Sequence, residues 1–151
     1  MIKSIAFIEV IIIAVIKHTT AEIKLLARLM RAEAESDGIK GMLLVGNVGV
    51  NRVLARCLDF KNINTIEKMV YQSPGGFEAT HKSYFYQAAR DEDIKLAKRC
   101  INGERFSPAK KALWFYNPNG GTCREQWYGQ WNVGYYKSHC FYAPDRSENC
   151  L

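Results

Sequence analysis

Long apolar runs are missing from this chain. A membrane-spanning helix needs about 20 consecutive apolar residues, and the richest apolar stretch among the 151 residues, within positions 1–16, is shorter and contains Lys3 and Glu9. No membrane span is expected. The same stretch makes a poor signal peptide, because Glu9 interrupts it and no small-x-small cleavage site follows. Residues 1–16 are therefore read as an N-terminal extension of uncertain role, ahead of a body over residues 17–151.

A basic arm or tail is also missing. The net charge is +6, and it divides into +3 up to Val70 (ten basic, seven acidic residues) and +3 beyond it (eleven and eight). With no aromatic motif of the RNA-binding type, a nucleic-acid partner is not expected. The glycine-rich segments 46–49 and 117–121 lack the lysine of a phosphate loop. No CxxC and no Cys–His pair at zinc spacing occurs. No motif calls for a metal or an organic cofactor, and none is expected. The five cysteines, Cys57, Cys100, Cys123, Cys140 and Cys150, are odd in number and widely spaced. At this length and density they read as buried or idle thiols in a reducing compartment rather than a disulfide scaffold. Repeats, low-complexity tracts and linkers are absent, and 48% hydrophobic with 24% charged residues excludes disorder, collagen and coiled coil. One domain is expected.

The last scarcity is local. Of 18 aromatic residues only Phe7 and Phe60 precede Tyr71. The first half reads as aliphatic helices and the second as aromatic strands and loops.

Thr19-x-x-Glu22 is a capping box ahead of an apolar-periodic run, which predicts a helix over residues 21–36 that stops at Asp37-Gly38, with Gly38 as a left-handed cap. A second helix is predicted over 39–56, with Gly46 and Gly49 permitting close approach of a neighbouring backbone. Asn64 to Glu67 signals a short helix ending near Tyr71, and Asp91 starts another that ends before Gly103. From Ala109 the period changes. Strands are predicted over 113–116, 127–136 (strand or extended loop) and 138–142, with 117–121 as a turn. Helices followed by strands, without βαβ alternation, define an α+β class: a helical first half and a small antiparallel strand region in the second.

Ile23, Leu26, Met30 and Glu33 step by three, four and three and so share one helix face. A glutamate on an apolar face near a helix C-terminus has its charged form disfavoured by burial and by the helix dipole. Both effects suit a general acid working near neutral pH. The structural alternative is a Glu33 paired with an arginine such as Arg52. A glycosidase commonly uses two carboxylates roughly 5–9.5 Å apart; Glu78, after Gly75-Gly76-Phe77, is a second candidate, or else a solvated loop charge. Where the substrate's own hydroxyl is the nucleophile, Glu33 alone suffices. Tyrosine and tryptophan faces stack on sugar rings, although many of the aromatics must form core. Ser138-His139 lacks a placed acid for a triad, and Cys123 or Cys140 with His139 is a minor candidate for a thiol nucleophile.

The run Leu25 to Glu35 (LLARLMRAEAE), together with Gly41 to Gly49, Asn51-Arg52, Tyr71-Gln72, Phe77-Glu78-Ala79, Tyr84 to Gln87, Ile101 to Arg105, Tyr116-Asn117-Pro118, Gln126 to Tyr128 and Lys137 to Tyr142, resembles the spore cortex-lytic cell wall hydrolases of the CwlJ/SleB type, and the CwlJ branch more closely. The resemblance runs from about Ile13 to the end. It implies a lysozyme- or lytic-transglycosylase-like single domain that degrades spore cortex peptidoglycan during germination, with Glu33 as the catalytic residue. Tyr71, Gln72, Phe77, Tyr116 and Asn117 would line the glycan cleft, with Glu78 and His139 as polar groups nearby. It further implies synthesis in the mother cell without a cleaved signal peptide, deposition in the coat and cortex region of the spore, and a coat anchoring protein as a candidate partner. Either hydrolysis or transglycosylation fits one glutamate. Two other classes stay open at this point: an amidase or peptidase acting on stem peptides, and a non-catalytic spore coat protein.

Overall fold

The computed structural model describes residues 13–151; the extension expected over residues 1–16 lies outside the described residues except for its last four. Of these, Val15 donates its backbone N–H to the carbonyl of Ile101 at 2.9 Å, and Ile16 is buried.

Helix α1 (Thr20–Ala34) opens on the expected capping box: the Thr19 hydroxyl accepts from the Glu22 N–H, and the Glu22 carboxylate accepts from the Thr19 N–H. It ends two residues before position 36. The chain tightens into a single 3₁₀ turn, Glu35–Asp37, and Gly38 turns it directly into α2 (Gly38–Leu54). Gly38 (φ +78°, ψ −169°) is thus not the left-handed cap expected of it; it reverses the chain in a conformation that an L side chain rarely adopts. The tight turn also carries Asp37 inward, where it is only 4% exposed.

Every residue of α2 from Gly41 to Arg52 is buried, so it is the central helix, with α1, α3 (Ile66–Val70) and α4 (Asp91–Ile101) packed around it. Its glycines set the distances. A Cβ on Gly46 would stand 2.6 Å from Cys100 Sγ and 2.9 Å from Met30 Cε, and one on Gly49 would stand 3.0 Å from Met69 Cε. Helix α3 is capped by Thr65, whose hydroxyl accepts from the Lys68 N–H. Asn64 accepts from Lys68 Nζ instead.

The second half forms a four-stranded antiparallel sheet in the order β1-β4-β3-β2, from β1 (Trp114–Tyr116), β2 (Gln126–Trp127), β3 (Gln130–Tyr136) and β4 (His139–Ala143). The segment expected as one extended stretch over 127–136 is split by a hairpin at Tyr128 and Gly129. Both have positive φ, as the two-residue turn that matches strand twist requires. Leu44 and Val48 of α2 pack with Ala109, Ala112 and Phe141 and join the helical layer to the sheet. The α+β class expected from the sequence is the architecture found.

The cysteines depart from expectation. Cys57 pairs with Cys150 and Cys123 with Cys140, while Cys100 alone is a free, buried thiol. The pairs lie 93 and 17 residues apart in sequence, and only the fold brings them together. The first ties the exit of α2 to the C-terminal tail; the second ties the loop before β2 to β4. Burial pushes the Cys100 thiol up to about 12, so it is unreactive at neutral pH. With both Cys123 and Cys140 bonded, neither supplies a thiolate beside His139.

Candidate active site

The end of α1, the 73–78 loop, β1 and the start of β4 surround a cleft of about 560 Å³. Glu33 lines it, with Phe77 and Glu78 on the loop side, Tyr116 and Asn117 on the sheet side, and His139 at the start of β4. Two other sequence candidates stand apart. Gln72 is buried behind the wall, and Tyr71 lines an adjoining depression of about 390 Å³ together with Gln72, Phe77 and Glu78.

Glu33 is held with little polar company. Its carboxylate accepts the Ala79 N–H at 3.4 Å, and no ion pair to it forms among the described residues. Burial raises its pKa above the ordinary carboxylate value. The Ala79 amide, His139 and Lys82 pull the other way, and Glu78 adds to the rise. The pairing of Glu33 with Arg52, expected as the structural alternative, does not form. Arg52 is itself buried and spends its donors on backbone: Nε donates to the Leu113 carbonyl and Nη1 to the Gly75 carbonyl, both at 2.7 Å, with a longer bond from Nη1 to Gln72 Oε1. Its guanidinium lies over the Phe77 ring at 4.5 Å. Burial pulls its pKa down to about 9, so it remains a cation at neutral pH. Arg52 and Gln72 are therefore the brace that joins the 73–78 loop to the segment entering β1, setting two walls of the cleft. Gln72 Nε2 completes the brace by donating to the Pro74 carbonyl.

The sheet wall is aromatic. Tyr116 stacks on Tyr142 (ring centroids 5.6 Å apart) and packs at a tilt against Trp127 (4.9 Å), and Trp114, Phe115, Tyr116 and Trp127 all line the cleft. Tyr142 is fully buried and donates its hydroxyl to the Arg124 carbonyl at 2.7 Å, which fixes the stack from behind.

Asp37 is a residue that sequence reasoning missed. Its Oδ2 lies 2.7 Å from His139 Nδ1, and the Ser138 hydroxyl lies 2.8 and 2.7 Å from its two oxygens. An ionised carboxylate only accepts, so Nδ1 carries the hydrogen and Nε2 is the ring nitrogen left to meet a ligand. The Phe115 ring stands edge-on to the imidazole, with centroids 5.2 Å apart, and completes its orientation. The acid that Ser138-His139 lacks in sequence thus arrives from 101 or 102 positions away, on the turn after α1. Sequence carries no local signal for it: Asp37 reads as the stop of the helix, and the 3₁₀ turn after α1 carries it inward.

The cleft thus sets one half-buried, under-partnered glutamate beside a histidine held by a carboxylate and an aromatic wall. The chain belongs to the Cell Wall Hydrolase family, whose pattern it matches over residues 36–142. Glu33 lies just before that stretch. It is 67% identical over 135 residues to the cell wall hydrolase CwlJ of Oceanobacillus iheyensis, covering 89% of this chain and 95% of that protein. It is 56% identical over 137 residues to CwlJ of Bacillus subtilis, covering 91% and 94%. Among solved structures it is similar to the catalytic domain of the Bacillus cereus SleB protein (TM-score 0.66, 24% identity, covering 83% of this chain and 92% of that one). It is also similar to the catalytic domain of the germination-specific lytic transglycosylase SleB of Bacillus anthracis (TM-score 0.64, 23% identity, 83% and 96%). These two likenesses show the fold, that of the SleB catalytic domains. The chain is a cell wall hydrolase of that fold.

Proposed function

We propose that this cell wall hydrolase cuts the glycan strands of spore cortex peptidoglycan during germination, with Glu33 as general acid and base. The observation that carries the reading is the environment of Glu33: half-buried in the cleft, raised in pKa by burial, and bound by a single long hydrogen bond. A carboxyl group whose protonated form is favoured by burial can deliver its proton to the glycosidic oxygen as the bond to the anomeric carbon breaks. The carboxylate that results takes a proton from the incoming nucleophile, either water or a hydroxyl of the same sugar. Hydrolysis and transglycosylation differ only in that nucleophile.

The rest of the cleft supports binding. Tyr116 and Trp127 offer faces for sugar rings, and Asn117, Asn119 and Ser138 offer hydrogen-bonding groups for hydroxyl and acetamido substituents. His139, oriented by Asp37, presents Nε2 to the substrate. Glu78 is mostly exposed and pairs with Lys82 at 3.5 Å, a weaker candidate for a second carboxylate. Phe77 and the Arg52–Gln72 brace shape the wall rather than touch the reacting atoms. The disulfide between Cys123 and Cys140 removes the thiol route to an amidase. Residues 17–151 would form the catalytic domain. Deposition in the coat and cortex region of the spore, made in the mother cell without a cleaved signal peptide and held by a coat anchoring protein, fits the kinship with CwlJ proteins.

Mass spectrometry of purified cortex sacculi digested by the protein tests this reading. Anhydro-muramic ends indicate transglycosylation and reducing ends hydrolysis. Release of free stem peptides with intact glycan strands would refute it.

A further inference from the structure

A second hollow opens on the surface apart from the cleft. Two depressions of about 770 and 530 Å³ meet at Lys111, Asn149 and Cys150 to form one groove, and it shares no lining residue with the cleft. Four cations line it: Arg56, Lys110, Lys111 and Arg146. None forms an ion pair among the described residues, whereas Arg31, Lys82, Arg90 and Arg99 all do. The one acidic side chain in the groove, Asp145, is already engaged by the Ser147 N–H and by Trp131 Nε1.

The groove is built rather than incidental. The Asn51 amide donates to the carbonyls of Ala109, Lys110 and Ala112 at 2.9–3.2 Å and fixes the turn that carries the two lysines. The Cys57–Cys150 disulfide and the bond from the Arg56 N–H to the Cys150 carbonyl hold the tail that forms its other side. Trp131, oriented by Asp145 and 41% exposed, offers an indole face beside the cations.

We propose that this groove is a second wall-binding site, which grips the carboxylates of peptidoglycan stem peptides while the cleft works on the glycan. The inference rests on the peptidoglycan reading above. Stem peptides hang from every strand and carry free carboxylates, so a cluster of cations without ion-pair partners, with an aromatic face for the peptide or sugar backbone, complements them. An enzyme acting on an insoluble polymer gains from such a grip, because a released chain must find the wall again.

The test is a pelleting assay with purified cortex sacculi, using the full chain and the variant Lys110→Glu/Lys111→Glu/Arg146→Glu. Wild-type binding should weaken as salt rises, and the variant should bind about tenfold more weakly or worse. Sacculi whose carboxylates have been converted to carboxamides should hold the wild-type protein as poorly. Turnover of short soluble glycan fragments should be unchanged, which also shows that the variant is folded. Lys111→Glu and Arg146→Glu taken singly give the same reading at smaller amplitude. Equal pelleting of wild-type and variant, or equal binding to native and amidated sacculi, overturns the proposal. Charge-dependent binding to vesicles of anionic phospholipid, with none to sacculi, overturns it in favour of a membrane surface. Charge-dependent binding to sacculi whose glycan strands are never cut upholds the groove and removes the glycan-cleavage reading.

Discussion

Replacing Arg52 by methionine isolates the brace behind the cleft. The substitution keeps an unbranched apolar stem, shorter than arginine by the guanidinium group that lies over Phe60 and Phe77, and removes every donor. Two short bonds vanish, to the carbonyls of Leu113 and Gly75, along with the weaker one to Gln72. A buried acceptor left unmet costs about 1–3 kcal/mol. Against this, the wild-type protein already bears the desolvation of a buried guanidinium, seen in the fall of its pKa to about 9, and methionine relieves it. The net loss should be about 2–4 kcal/mol, a large share of the roughly 5–15 kcal/mol that stabilises a domain. Equilibrium urea unfolding reads it directly as a lower midpoint at similar slope. Arg52→Lys should fall between the two, because one ammonium cannot reach both carbonyls in the geometry of a planar fork. Under native conditions Arg52→Met should also lose cleavage activity, since the 73–78 loop loses its tie to the segment entering β1. A loss below about 1 kcal/mol with full activity would refute the account of Arg52 as the brace.

Other expectations follow from the same geometry. Glu33→Gln should make the protein equally or more stable at pH 7. A raised folded pKa means that the stability linked to Glu33 is fully present below its ordinary value of 4.5 and is lost as pH rises through the folded value. The difference between variant and wild type should therefore close in acid, as urea unfolding at several pH values would show. Asp37→Asn should reduce turnover about tenfold or more and alter its pH profile, with little change in melting temperature, because the asparagine keeps the shape but no longer fixes the His139 hydrogen. Gly46→Ala should cost about 1–3 kcal/mol, since its Cβ meets Cys100 and Met30 in a packed core. Reducing the disulfides should lower the melting temperature: loops closed over 93 and 17 residues constrain the unfolded chain by about 3–5 kcal/mol each in the chain-entropy picture. Unchanged melting under strong reductant would contradict that.

Much of the fold was legible in local pattern. The capping box at Thr19, the apolar stripe of α1, the glycines of α2 and the change of period after Ala109 each rest on physics confined to a few neighbouring residues. So did the selection of Glu33, because the face of a helix is fixed by spacing alone. Features that depend on distant parts of the chain were not legible. Asp37 read as the end of a helix because nothing local says that a 3₁₀ turn will swing it towards His139. Arg52 read as a partner for Glu33, but the carbonyls that hold it come from 61 and 23 residues further on. The cysteine pairs failed for the same reason, and an inference from density and compartment could not replace the missing geometry. The uneven aromatics were informative but undivided: Phe85, Phe141 and Tyr142 are core, while Trp114, Phe115, Tyr116 and Trp127 form the cleft wall.

The central claim is that Glu33 is the proton donor for cleavage of the glycan strand, and muropeptide release from purified cortex sacculi by Glu33→Gln tests it most directly. The variant should fold, pellet with sacculi as the wild-type protein does, and release no glycan fragments detectable by mass spectrometry. Fragment release at a rate comparable to wild type would contradict it.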